Sequence, residues 1–322
     1  METRGKTKED LAKFEKMNNI VEEEFYSFNE KEYEILMEKR PWRNNPNYFK
    51  SVRISAVALI KMVTHAVSGG KNEVMGLMQG KASGDTFIVL DAFGLPVQGV
   101  ETSVSAGDQA LEYFTAKNEL THQLGRPENI CGWYHSHPGY SCFFSGTDVK
   151  TQRLQQALND PYLGIVVDPI QTMSSGEVAI GCFRSYPENY SSGKATEVES
   201  IPLSKIEEFG LHANEYYKLD YSFFKSKTDQ DLLERLWTRY WVQTISSPTL
   251  IRNREYMAGR AIDVGGKLER CKHNAFARSK DTAGRAEYGK FLNELIKVAA
   301  ETSEAMSLEL LRDVTFNKKL FQ

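Results

Sequence analysis

The sequence predicts an α/β (α+β) protein, a sheet covered by helices, with a helical segment toward its C-terminal end. Three observations carry this. Short apolar runs of strand length are interspersed with capped helical patterns between residues 55 and 184; Gly69-Gly70 and Pro138-Gly139 punctuate them; and after Pro202 the apolar spacing becomes helical. With 322 residues, 41% of them apolar, the chain can bury a full core and a smaller second region beside it.

Residues 1–50 are dense in Lys and Glu, with scattered aromatics (Phe25, Tyr33, Trp42, Tyr48), and predict a partly disordered start leading into an arm that packs on the domain. A helix is predicted over 55–68, capped by Ser55 and stopped by Gly69-Gly70. Residues 74–79 and 86–92 predict strands paired across a turn at 80–85. The run 131–137, bounded by a Gly-Arg-Pro loop and by Pro138-Gly139, predicts a strand ending in a turn. A helix over 149–158 and strands over 163–168 and 177–184 follow. Two stretches interrupt this order. Residues 94–128 carry Ser, Thr and Gly with a helix predicted over 108–123, and are expected to form a movable cover over the site described next. Residues 188–200, rich in Ser, Glu and Lys, are expected to be a flexible surface loop.

Beyond Pro202, Ser204-Lys205-Ile206-Glu207 and Thr228-Asp229-Gln230-Asp231 are capping-box patterns, and Leu232, Leu233, Leu236, Trp237, Tyr240 and Trp241 recur at helical spacing. A final helix over about 285–313 follows a polar linker at 277–284; it carries Leu292, Leu295, Ile296, Ala299, Met306 and Leu310 on one face and is expected to join a partner's helical bundle. A formal net charge of -3 is too small to argue for nucleic acid or a membrane surface. The four cysteines, Cys131, Cys142, Cys182 and Cys271, show no paired spacing. With no signal-peptide pattern and no run of apolar residues long enough to span a bilayer, a soluble intracellular chain with reduced thiols is expected.

The chemistry concentrates in Gly132-Trp133-Tyr134-His135-Ser136-His137-Pro138-Gly139 and in Asp148. Side chains two apart on a strand point to one face, so His135 and His137 can share one ion. Asp148 falls on the first turn of the helix that follows, where a strand-to-helix return brings it over the imidazoles. Two His and one Asp leave the fourth tetrahedral position of Zn²⁺ to water, the mark of a catalytic site. Taken singly these residues are ordinary: Asp148 reads as a capping-box acid paired with Ser145. A general base is also needed. No acid lies between His137 and Asp148, and the best upstream candidate is Glu73, which opens the apolar strand after Gly69-Gly70.

Glu73, His135-Ser136-His137-Pro138 and Ser145-Gly146-Thr147-Asp148 together resemble the JAMM (MPN-plus) metalloisopeptidase family, and within it the signalosome branch. The resemblance extends to Asp91-Ala92-Phe93-Gly94-Leu95-Pro96-Val97, to Val166-Val167-Asp168-Pro169, to Phe183-Arg184-Ser185-Tyr186-Pro187 and to Lys218-Leu219-Asp220-Tyr221, covering most of the chain from about residue 40. It implies an MPN domain with a central mixed β-sheet flanked by helices, with 1–50 as an arm, 51–202 as the catalytic core, 203–276 as a helical extension and 277–322 as a helix for complex assembly. It implies that His135, His137 and Asp148 hold one zinc, that Glu73 activates the attacking water, and that Ser145 helps hold the developing oxyanion. Capping and oxyanion donation then compete for one hydroxyl. The implied activity is removal of the modifier Nedd-eight from cullin subunits of cullin-RING ubiquitin ligases. The implied partners are other signalosome subunits, among them a metal-free MPN sister, and the implied residence is cytoplasm and nucleus. A deubiquitinase of the proteasome-lid or endosomal type uses the same constellation, and a non-catalytic MPN scaffold would lack ligands that are present here. Where family members carry Gly-Cys-Trp-Leu, this chain has Ser141-Cys142-Phe143-Phe144, and Cys142 is not expected to ligate the metal.

Overall fold

A computed structural model describes residues 11–27, 29–98, 128–188, 190, 195–198, 201–237, 258–259, 261–269, 289–290, 292–294, 296–298 and 300. Ser55 accepts the Ala58 N–H at 3.0 Å and starts helix α3 (Ala56–Ser68), which ends at Gly69 as its sequence predicts. Strands β3 (Val74–Ser83) and β4 (Thr86–Gln98) pair antiparallel across a tight turn. Gly84, at φ 56°, supplies the left-handed residue that turn requires. Both strands are longer than expected: the region 80–83 stays in the ladder, and 94–98, expected to begin the cover, continues β4. Residues 99–127, with the predicted cover and its helix, lie outside the described residues.

Strand β5 (Asn129–Ser136) lies antiparallel to β3 and parallel to β6 (Leu163–Val167), with helix α4 (Gly146–Asn159) crossing between them. The short helix α5 (Pro169–Ser175), not predicted, leads to β7 (Ile180–Ser185), antiparallel to β6. Residues 195–198 form no regular element, as expected for a loop.

The largest departure lies after Pro202. Within the stretch expected to be a helical extension, Tyr216–Lys225 is a strand, β8. Its first residues pair antiparallel with β7, and Asp220–Phe224 pairs parallel with β2 (Ser51–Ser55), itself beside β4. The mixed sheet therefore closes on itself through β8. A two-residue strand, β1 (Val21–Glu22), joins the outer side of β8. Helices α6 (Ile206–His212) and α7 (Lys227–Trp237) flank β8, and neither starts on its predicted capping box. Lys205 precedes α6 with no side-chain cap, and α7 is capped by the Ser226/Asp229 exchange rather than by Thr228/Asp231.

The main core lies between α3 and the sheet, where Val52, Ile54, Leu59, Met62, Val89, Ile165 and Leu219 are essentially inaccessible. The N-terminal arm contributes to it: helix α1 (residues 11–17) buries Leu11 and Phe14, and Trp42 stacks on Phe49 after α2 (Glu30–Lys39). A second cluster (Trp133, Phe144, Val149, Val166, Phe183, Tyr216) fills the space under α4. Among the described residues, no helix is long and apolar enough to cross a membrane. Of the final helix expected over 285–313, residues 292–294 and 296–298 are helical, with Leu292 and Ile296 exposed; residues 301–322 lie outside the described residues.

Candidate metal centre

His135 occupies β5, and His137 follows its end, held to β6 by its N–H on Val167 O at 2.9 Å. Ser136 between them turns to β3, where its Oγ accepts the Val74 N–H at 2.9 Å. That bond ties the strand carrying His135 to the residue after Glu73. Asp148 returns on the first turn of α4. The two Nε2 atoms lie 3.0 Å apart; Asp148 Oδ1 is 3.3 Å from His135 Nε2, and Oδ2 is 3.6 Å from His137 Nε2. All three side chains are buried, and their donor atoms form a cluster able to hold a metal ion.

Hydrogen bonding decides which nitrogen of His137 is available. Its Nδ1 lies 3.0 Å from Ser141 O, and a carbonyl can only accept, so Nδ1 carries the proton and Nε2 keeps its lone pair for the cluster. Aromatic rings clamp both imidazoles. Trp133 stacks on His135 at 4.6 Å, and Tyr140 stacks on His137 at 4.5 Å with Phe143 edge-on at 5.2 Å. Burial opposes ionisation of Asp148, but the two imidazoles outweigh it and hold the carboxyl well below its ordinary range. Burial likewise opposes protonation of His135, yet Asp148, with Glu73 behind it, raises it; in His137 burial prevails and lowers it.

The structure brings Glu73 and Ser145 to the same cleft as His137 and Asp148. Glu73, half-buried at the head of β3, accepts a hydrogen bond from the Tyr140 hydroxyl on Oε1. Ser145 caps α4 in a full capping box: Oγ accepts the Asp148 N–H at 3.2 Å, while Ser145 N–H donates to Asp148 Oδ2 at 2.8 Å. Ser145 Oγ also donates its own proton to Oδ2, at 2.7 Å. Capping thus uses a lone pair of Oγ, and the proton is a separate resource. Cys142 is not in the donor cluster; its Sγ lies 3.5 Å from Ala179 O, and burial drives the thiol well above its usual range.

Sequence reasoning missed several residues of this site. Lys205 and Glu208, beyond Pro202, line the cleft mouth as an ion pair at 3.1 Å, with Lys205 Nζ 5.3 Å above the Tyr140 ring. Gln152, one turn after Asp148, accepts the Trp133 indole N–H at 2.7 Å. Asp168 caps α5; Asp168-Pro169 was a legible start signal, but seven residues are too few for periodicity to mark a helix.

Residues 47–161 match the family profile described as JAB1/Mov34/MPN/PAD-1 ubiquitin protease. Over 317 residues the chain is 44% identical to COP9 signalosome complex subunit 5 of Dictyostelium discoideum, covering 96% of each chain. The chain belongs to the COP9 signalosome subunit 5 family. Members of that family from Arabidopsis thaliana (subunit 5a, 45% identical, 88% of this chain and 82% of the relative) and Drosophila melanogaster (43% identical, 92% of each) match over similar lengths. The family's profile ends at 161, so β6, β7, β8 and the Lys205–Glu208 rim all lie outside it.

Proposed function

We propose that the chain is a zinc-dependent isopeptidase that removes Nedd-eight from cullin subunits of cullin-RING ligases, as the catalytic subunit of a COP9 signalosome. The observation that carries this reading is the buried His135–His137–Asp148 cluster with Glu73 and Ser145 in one cleft, in a chain of this family. Two imidazoles and a carboxylate are a donor set that suits zinc with one position left for solvent. A zinc ion bound there would acidify water and polarise the scissile carbonyl.

The side chains have separable tasks. Glu73 takes the proton of the attacking water as its oxygen bonds to the isopeptide carbon, then delivers it to the lysine nitrogen as the C–N bond breaks, leaving a carboxylate and a free amine. Tyr140, hydrogen-bonded to Oε1 of Glu73, orients that carboxylate. The Ser145 hydroxyl turns its proton from Asp148 Oδ2 to the carbonyl oxygen as charge develops, while its lone pair keeps the helix cap. The partners in this reading are other signalosome subunits, including a metal-free MPN sister, in cytoplasm and nucleus. The words "ubiquitin protease" in the family profile favour a second substrate reading, a zinc deubiquitinase built on the same centre.

The test is metal content by mass spectrometry with turnover in the assembled complex, using Nedd-eight and ubiquitin conjugates in parallel. Wild type is expected to hold about one zinc, His135→Ala none, and Glu73→Gln about one zinc with turnover reduced roughly 10²- to 10⁴-fold. Retained turnover in Glu73→Gln removes Glu73 from its role. A folded wild type that takes up no zinc points instead to a scaffold without catalysis.

A further inference from the structure

Asp168 lies at the end of β6, outside the donor cluster, with 1% of its surface exposed. Four backbone N–H groups converge on its carboxylate. Oδ1 accepts from Ile170 (3.0 Å) and Gln171 (2.9 Å), the cap of α5, and from Gly139 (2.9 Å). Oδ2 accepts from Ser141 alone among the hydrogen bonds resolved, at 3.0 Å. Capping α5 needs only one oxygen. The other two donors, Gly139 and Ser141, both belong to the turn that follows the ligand His137.

Ser141 passes the constraint on. Its N–H is held by Asp168, its backbone sits at φ 76°, and its carbonyl meets His137 Nδ1 at 3.0 Å. A left-handed conformation in a residue other than glycine costs about 1–2 kcal/mol and persists where surrounding bonds hold it. The carbonyl that fixes the His137 tautomer thus points the right way because the N–H of the same residue is anchored to a buried carboxylate.

We propose that Asp168 is a positioning residue for His137: through Ser141 it fixes the tautomer and ring orientation that present Nε2 to the metal. The inference rests on the metal-centre reading above. Outer partners of ligating histidines are typically worth 10- to 100-fold in metal affinity. Asp168 extends that support one residue further out.

Asp168→Asn tests this selectively. Asparagine caps a helix about as well as aspartate, and its Oδ1 can keep Gly139, Ile170 and Gln171. Its amide nitrogen, however, would face the Ser141 N–H, donor against donor. Zinc affinity of the full chain is measured by chelator competition, with thermal unfolding of the metal-free protein alongside. The expected result is a 10- to 100-fold weaker zinc affinity in a metal-free protein that is still folded, its unfolding midpoint lowered by the unsatisfied Ser141 N–H. Equal affinities overturn the proposal while leaving the metal centre intact; a wild type that binds no zinc overturns both. A second measurement does not require the variant to fold. In ¹⁵N-labelled wild type, His137 is expected to show a proton on Nδ1 in slow exchange with solvent, and a proton on Nε2 instead would overturn the proposal.

Discussion

Ser141 shows how a single residue can carry local strain for the site. At φ 76° its side chain is disfavoured by about 1–2 kcal/mol, while glycine there would lose about 0.5–1 kcal/mol more chain entropy on folding. The two terms nearly cancel, and both backbone bonds of Ser141 survive the exchange. Ser141→Gly is therefore expected to leave the melting temperature unchanged or slightly raised, whereas β-branched Ser141→Val should lower stability by about 1–2 kcal/mol or more. A clear drop for the glycine variant would show that the serine side chain, not the backbone, holds the turn. His135, His137 and Asp148 were legible as candidates because their spacing on strand and helix start is local information, whereas Glu73 and Ser145 drew their roles from the family resemblance. Asp168 was not legible, since its partners lie 27 and 29 residues upstream and meet it only when β5 and β6 pair.

At the scale of the element, helix α4 joins Asp148 of the donor cluster to the strand that carries His135 and leads into His137. Four residues after Asp148, buried Gln152 accepts the Trp133 indole N–H at 2.7 Å and donates to Tyr162 O and Gln156 Oε1, both at 2.8 Å. Trp133 in turn stacks on His135. Removing the amide would leave the Trp133 indole N–H unsatisfied in the interior, while the Tyr162 carbonyl keeps the Arg184 guanidinium at 2.8 Å, at a cost of about 1–3 kcal/mol plus that of the cavity. Gln152→Ala is thus expected to lower the urea midpoint by the equivalent of about 2–5 kcal/mol with an unchanged slope, and an unshifted midpoint would mean that α4 is not coupled to β5 through this side chain. The helix itself was predictable from its Ser-x-x-Asp start. Which strand it would grip was not, because an amide that satisfies a tryptophan 19 residues away leaves no periodic trace.

For the whole molecule, closure of the sheet is the central fact. β8 bridges β7 and β2, so the far ends of the sheet support each other, and Leu219, Phe223 and Phe224 are buried in doing so. A chain ending at residue 202, the boundary read from composition, would lack this strand and expose unpaired edges on β2 and β7. Such a fragment is expected to lose cooperative thermal unfolding and to aggregate. A cooperative transition near that of the full chain would show that β8 is an accessory strand. The same closure carries Lys205 and Glu208 to the mouth of the metal cleft, so the segment after Pro202 shapes the site as well as the core.

The sequence by itself determined the local features: the capped helix over 55–68, the β3/β4 pair, the strand that carries His135, the capping-box start of α4, and the His135, His137 and Asp148 spacing of a cluster that could hold a metal ion. Each depends on contacts between residues near in sequence, where period, cap and turn chemistry leave a readable mark. Only the tertiary structure decided that 216–225 is a strand. Its burial follows no strict alternation, because it changes neighbours midway and is covered on different faces along its length. The support of the centre by Asp168, Gln152 and Tyr140 was decided at the same level, since buried polar groups find their partners in space rather than along the chain.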